Sequence, residues 1–220
     1  SMYQRNTSSP VGFDQGSNTG WSADTWYHFA LVRSGSSYVM YRDGTSVATL
    51  TDATTVMESI DNVGVIGTTY QYGSYQANPF DGYIDEYRIS DTARYTTTFD
   101  EPETAFTPDA NTLLLLHMDG VDDGTVFSDQ GRHAITDYGG VTQTRAVKKV
   151  GDSSIYFDGN GDYFSIPASS DWNRGTGDWT VEAWFQNAGG TDGTGYGNGI
   201  FPVFTVGNRW TGAFVSDWLM

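Results

Sequence analysis

The chain has 220 residues, of which 27 are acidic and 11 basic, giving a formal net charge of −16. So acidic a chain argues against nucleic acid and anionic membranes as partners, because both require basic residues that neutralise phosphate. The sequence contains no cysteine, which excludes disulfides and thiolate chemistry, and it lacks the run of about 18 apolar residues that predicts a membrane-inserted helix.

The first half of the chain carries strand signals separated by turns. Residues 26–33 form a nearly continuous apolar and aromatic run, which is typical of a central strand buried on both faces. Asp43-Gly44 lies between the β-rich runs 38–42 and 45–50, and an Asp-Gly pair in that setting predicts a hairpin. A further short strand is expected over 63–66.

Residues 82–90 alternate in character and predict a strand with two different faces. One face is expected to carry Tyr83, Asp85, Tyr87 and Ile89, and the other to carry Ile84, Glu86, Arg88 and Ser90.

Residues 100–111 form the one linker-like stretch, with two prolines and four acidic residues, and they mark the best boundary between two halves of the chain. Strand signals resume beyond it, over residues 112–118, 153–157, 163–166, 179–185 and 200–206. Because no long window has helical periodicity and the turns are rich in Gly, Asp and Asn, the sequence predicts an all-β sandwich or barrel.

Five stretches together resemble the laminin-G-like and concanavalin A-like domains of phage, bacterial and metagenomic surface proteins. They are TWYHFALVRSGSSYVMYRDG (25–44), FDGYIDEYRIS with TARY (80–95), LLLLHMDG (113–120), KKVGDSSIYFDGNGDYFSIP (148–167) and GTGDWTVEAWF (175–185). The resemblance implies a two-sheet antiparallel jelly-roll sandwich of the concanavalin A-like class.

The order of these stretches departs from the family, because the two blocks that normally close the domain come first. Either the chain spans the junction of two tandem domains, or the protein is circularly permuted. In both cases residues 1–107, the family's C-terminal half, are expected to complement residues 108–220, its N-terminal half, in one domain spanning 1–220. A monomer is expected, and pairing of halves between chains would give a swapped oligomer.

The resemblance also implies a structural calcium site where three segments of the fold meet. Carboxylate and carbonyl oxygens suit this hard cation. The predicted ligands are Asp85, Asp119, Asp158 and Gly159. The alternative is that these aspartates cap turns through backbone amides.

Two polar loops rich in aromatic residues are the candidate ligand surface, since sugars stack on aromatic rings and bond to amide groups. The predicted ligand-binding residues are Tyr70, Tyr72, Tyr75, Asn78 and Tyr196. The alternative for each aromatic side chain is packing in the core.

Catalysis is not expected, because retaining glycosidases need two carboxyl groups about 5–5.5 Å apart. Asp85 and Glu86 are adjacent and should point to opposite faces, and Glu182 has no carboxylate two residues further on. We therefore expect a non-catalytic recognition module, a lectin-like adhesion domain that binds a glycan or cell-surface polysaccharide. The resemblance places it on an extracellular or virion surface, for example in a phage tail fibre. The alternatives are a structural spacer in a tandem array and, less favoured, a polysaccharide-degrading enzyme.

Overall fold

The computed structural model describes residues 22–51, 63–68 and 79–188 with their side chains, and gives the backbone alone for short strands within 2–13, 70–75, 205–206 and 217–218. In these parts the helical content is one 3-10 turn, Ser170–Trp172. None of it forms a helix of the length and apolar character needed to cross a membrane.

The strands of residues 1–107 are β1 (Met2–Asn6), β2 (Ser9–Phe13), β3 (Trp26–Ser34), β4 (Ser37–Arg42), β5 (Thr45–Thr51), β6 (Gly64–Ile66), β7 (Tyr70–Gln71), β8 (Ser74–Tyr75) and β9 (Asp81–Ser90). Those of residues 108–220 are β10 (Thr112–Leu116), β11 (Thr136–Tyr138), β12 (Thr142–Thr144), β13 (Ser154–Asp158), β14 (Tyr163–Ile166), β15 (Trp179–Asn187), β16 (Thr205–Val206) and β17 (Asp217–Trp218).

The largest sheet interleaves strands from the two parts of the chain. Its order is β12-β13-β9-β15-β3-β4-β5, with β10 also paired to β9. Strand β15 lies between β9 and β3 and pairs with β3 from Trp179 opposite Arg33 to Gln186 opposite Trp26. A second sheet has the order β11-β14-β6-β16, and all pairings are antiparallel.

The core lies between these two sheets. Apolar side chains of β3, β9 and β15 share one buried cluster with those of β6 and β14, among them Phe29, Leu31, Ile84, Val181, Phe185, Ile66, Phe164 and Ile166. Sheets packed face to face in this way form a sandwich. The predicted all-β antiparallel sandwich is therefore confirmed.

The predicted hairpin at Asp43-Gly44 is also confirmed. Arg42 pairs with Thr45 across the turn, and φ is 48° at Asp43 and 71° at Gly44. Two successive left-handed residues are what a type I′ turn requires. The Asp43 carboxylate also accepts a hydrogen bond from the His28 amide at 2.9 Å, which ties the turn to β3.

Residues 91–111, here called the covering segment, lie across the second face of the large sheet. The rings of Tyr95 and Phe99 stack with centroids 3.6 Å apart and pack on Ala30, Val32 and Tyr41. The predicted linker is thus part of a segment that buries one sheet face.

Strand β9 contains a β-bulge, and the strict alternation predicted for 82–90 is wrong beyond Asp85. Glu86 has φ 48°, and the register shifts so that Asp85 pairs with Trp184 while Arg88 pairs with Glu182. The extra residue puts Asp85 and Arg88 on one face and turns Tyr87 into the core.

Gly44 and Gly35 allow a matched test of how closely the covering segment packs on the hairpin. Both have positive φ, but a Cβ on Gly44 would overlap the carbonyl of Phe99, whereas nothing lies within 4 Å of a Cβ on Gly35. We expect Gly35→Ala to lower the free energy of unfolding in urea by about 1–2 kcal/mol, the cost of a left-handed residue. Gly44→Ala should lose about 1–3 kcal/mol more, because of overpacking. Equal losses would contradict the close contact.

Candidate functional site

Asp85 is a fully buried carboxylate on the second face of the large sheet. Its Oδ2 accepts hydrogen bonds from the amides of Lys149 and Val150, both at 2.9 Å. Its Oδ1 has no partner among the described residues. Burial, aided by the nearby Glu86 and Asp119 carboxylates, raises the pKa of Asp85 to about 7 against the opposing effect of the two amides.

Asp119 lies three residues after the end of β10. It directly follows Met118, whose backbone is left-handed with a φ of 63°. Its Oδ1 accepts hydrogen bonds from the amides of Asp152 and Ser153. A Cβ on Gly151 would lie 2.5 Å from both carboxylate oxygens, so only glycine lets the turn approach this closely.

Asp85 and Asp119 therefore hold the same turn, residues 149–153, through successive backbone amides. The structure brings these two predicted residues to the same turn. Turn capping, the alternative to metal binding, is what one oxygen of each carboxylate does here.

The other two predicted calcium ligands lie at the end of β13, opposite the first residue of β9. Asp158 pairs with Asp81, four residues before Asp85, which is about 13 Å along a strand. The Asp158 carboxylate accepts the Asn160 amide at 2.7 Å, and the Gly159 amide donates to the Phe80 carbonyl at 3.1 Å. Burial, followed by the charge of Asp158, raises the pKa of Asp81.

The four predicted ligands thus form two separate groups. Among the described residues, no cluster of three or more histidine, aspartate or glutamate side chains is arranged to hold a metal ion. Both groups offer only oxygen ligands, which suit calcium. Asp85 with Asp119 fits the cation better, because the Oδ1 atom of Asp85 is buried without a partner among the described residues.

The predicted ligand-binding loops lie largely outside the described residues. Tyr72, Asn78 and Tyr196 fall there. For Tyr70 and Tyr75 the backbone shows that the two residues pair directly across the β7–β8 ladder. The first loop is therefore closed by a two-stranded hairpin.

A buried ionic cluster, which sequence reasoning missed, is centred on Glu182 beneath the covering segment. The Glu182 carboxylate accepts hydrogen bonds from Arg88 Nε at 2.8 Å and from the Tyr95 hydroxyl at 2.7 Å, and His28 Nε2 lies 3.4 Å away. Burial raises the pKa of Glu182, but His28 and Arg88 outweigh it and the net pKa is lowered. The sequence feature that could have revealed the cluster is the single carboxylate inside the apolar run 179–185, because a buried charge needs a partner.

A second missed pair joins Glu86 to His117. The Glu86 side chain is buried, its Oε1 lies 2.8 Å from His117 Nδ1, and its Oε2 accepts the Phe106 amide at 2.8 Å. The bulge at Glu86 makes this contact possible. In a strictly alternating strand, Glu86 would lie on the same face as Ile84, whose side chain is in the core. The covering segment thereby orients the imidazole of His117 through Glu86.

One family model matches part of the chain. Residues 2–97, fewer than half of the 220, match a laminin-G family described as the concanavalin A-like lectin/glucanases superfamily. No curated protein and no solved structure matches the chain. The matched residues include β3, β4, β5 and β9, which form one side and the centre of the large sheet. Residues 2–97 are therefore similar to the laminin-G family of the concanavalin A-like lectin/glucanases superfamily.

Proposed function

We propose that the chain is a non-catalytic carbohydrate-binding module of the adhesion type, acting on an extracellular or virion surface. The match of residues 2–97 carries this proposal, because a domain of the laminin-G and concanavalin A-like type suggests carbohydrate binding or adhesion. The net charge of −16 agrees with a partner that is neither nucleic acid nor an anionic membrane.

The covered sheet face supports the non-catalytic part of the proposal. Glycoside hydrolysis needs two carboxyl groups that reach the sugar. Glu182 is fully buried and is engaged by Arg88 and Tyr95 beneath the covering segment. A glycan would therefore be bound by loops at the rim of the sandwich.

The tyrosine-rich loop of residues 68–78 supplies the test of glycan binding. We expect the wild-type protein to bind one or more glycans on an array. The triple variant Tyr70→Ala, Tyr72→Ala, Tyr75→Ala should lose at least tenfold in affinity, because sugar rings could no longer stack on these aromatic side chains. The matched control is Tyr138→Ala, which removes an exposed tyrosine stacked on Tyr163 and should bind like wild type.

Absence of binding to every glycan, with and without calcium, would contradict the proposal and favour a structural spacer. Release of reducing sugar from a polysaccharide would contradict its non-catalytic part.

Calcium belongs to the proposal as a structural cation at Asp85 and Asp119. The buried, unpartnered Oδ1 of Asp85 supports it, since a carboxylate without a compensating contact is costly to bury. Bound calcium would supply positive charge beside two carboxylates and strengthen the attachment of the 149–153 turn.

The domain organisation is likewise proposed as one sandwich assembled from residues 1–107 and 108–220. Two observations support it. Strand β15 of the second part lies between β9 and β3 of the first, and Glu182 on β15 binds Arg88 and Tyr95 from the first part. The order of the two parts follows from a circular permutation or from a tandem-domain junction.

A further inference from the structure

A cavity of about 180 Å³ opens beside the end of β10. Its apolar wall is formed by Leu116, Met118 and Phe127. Its polar groups come from His117, Asp119, Ser128, Gln130 and Gln143. Pockets for drug-sized ligands measure about 300–1,000 Å³, so this cavity suits a smaller molecule.

The cavity exists because the chain leaves the strand conformation at Met118. Four successive residues, 116–119, line it, whereas an extended strand would present only alternate residues to one side. The left-handed φ of 63° at Met118 makes this possible. A left-handed methionine is strained, and strain of this kind concentrates at binding sites.

The polar groups of the cavity are held in place before any ligand arrives. His117 is oriented by Glu86, which is fixed in turn by the Phe106 amide. Gln143 is almost fully buried, and its Nε2 donates to the Asp119 carbonyl at 2.8 Å and to the Val126 carbonyl at 3.2 Å. Such preorganisation lowers the entropic cost of binding.

The aromatic wall is also rigid. The ring of Phe127 packs on Phe164 of the core with centroids 4.7 Å apart. A fixed ring beside acceptor and amide groups is the arrangement that binds one face of a sugar ring and its hydroxyls. With no cation bound, the Asp119 carboxylate in the cavity wall would repel an acidic sugar, so the charge of the calcium-free site favours a neutral one.

We propose that this cavity binds a single neutral pyranose unit, with Phe127 against the ring and Asp119, Gln130 and His117 bonded to its hydroxyls. The inference rests on the proposed carbohydrate-binding function and assigns it a site distinct from the tyrosine loop. A ligand of about twelve non-hydrogen atoms at ordinary efficiency gives a dissociation constant in the millimolar range, about 1–10 mM.

Amide-resolved NMR of the full chain tests the site directly. Methyl glycosides of glucose, galactose, mannose and N-acetylglucosamine are titrated, with methyl glucuronide as the acidic counterpart. We expect saturable shifts at Met118, Gly120 and the Gln143 side-chain amide for at least one neutral sugar, and at least tenfold weaker binding of the glucuronide. Linear, non-saturating shifts shared by all sugars and by glycerol would overturn the inference.

Two variants and one control complete the design. Phe127→Ala removes the apolar wall, and Gln130→Ala removes an exposed side chain whose loss leaves the fold intact. Each should weaken the sugar at least fivefold. Glu103→Gln changes an exposed carboxylate of the covering segment and should leave binding unchanged.

The same variants on the glycan array separate failure of the inference from failure of the proposed function. Binding that survives Gln130→Ala and Phe127→Ala but is lost in the tyrosine triple variant overturns the cavity while the function stands. No saturable shift and no array binding overturns both.

Discussion

Replacing Glu182 by alanine is expected to lower the free energy of unfolding by about 3–5 kcal/mol, the usual cost of breaking a buried ion pair from one side. The substitution leaves Arg88 and His28 beneath the covering segment without their carboxylate. The Tyr95 hydroxyl also loses its acceptor. Chemical denaturation at pH 7 measures the loss.

The control is Glu103→Ala, which removes an exposed carboxylate and should change the free energy by no more than about 0.5 kcal/mol. A double-mutant cycle with Arg88→Ala isolates the pair, since the two losses should not add when the residues are in contact. A loss below about 1 kcal/mol for Glu182→Ala would show that the cluster is not a source of stability.

The cluster also tests the proposed single domain. Glu182 comes from residues 108–220 and its partners come from residues 1–107, so the variant should move one cooperative transition as a whole. If the two parts were independent domains, two separable transitions would be seen, and only one would respond to the substitution.

The second large effect is a pH-dependent loss of stability caused by Asp85. Its pKa is about 7 in the folded protein, against an ordinary value of 3.8. Between these values the folded state holds a proton that the unfolded state has released. Stability contributed by this group is therefore complete below about pH 4 and falls by about 1.4 kcal/mol per pH unit until about pH 7.

Asp85→Asn removes this titration while retaining a carbonyl oxygen for the amides of Lys149 and Val150. The difference in free energy of unfolding, variant minus wild type, should rise by about 4 kcal/mol between pH 4 and pH 8 in favour of the variant. Glu182 acts in the opposite direction, because its pKa is lowered and its contribution is lost on acidification. That contribution is present in both proteins and cancels in the difference.

Calcium gives the same experiment a second arm. A cation bound at Asp85 and Asp119 would stabilise the wild-type protein at pH 8 by mass action. The difference in free energy of unfolding between the variant and wild type would then change less with pH, and Asp85→Asn would not respond to calcium. Melting temperatures of wild type that are identical in calcium and in EDTA at pH 8 would contradict the proposed cation and leave a proton as the species that satisfies Asp85.

Local patterns determined the strands and the hairpin. The apolar run 26–33, the Asp43-Gly44 turn and the alternating segment 82–90 each depend on neighbours a few residues apart, and these are the elements β3, β4, β5 and β9 of the large sheet. Turn residues and side-chain periodicity express their preference locally, so the all-β antiparallel class could be predicted before any contact was known. Asp85 and Asp119 could be named as candidates from the sequence because each follows or lies within a recognisable strand.

Contacts between distant residues decided the rest. The bulge at Glu86 arises where β9 must match β15 on one edge and β10 on the other, and no property of 82–90 alone marks it. The prolines and acidic residues of 100–111 predict a linker. These residues belong to the covering segment, which packs on the sheet because Tyr95 and Phe99 contact the face formed by Ala30, Val32 and Tyr41. The cavity beside His117 depends on both the bulge and the covering segment. The bulge turns the Glu86 side chain toward His117, and the Phe106 amide holds the Glu86 carboxylate that orients the imidazole. The sequence by itself determined the central strands of the large sheet. The tertiary structure alone decided which polar groups meet, because pairing and burial depend on residues far apart in the chain and leave no local pattern.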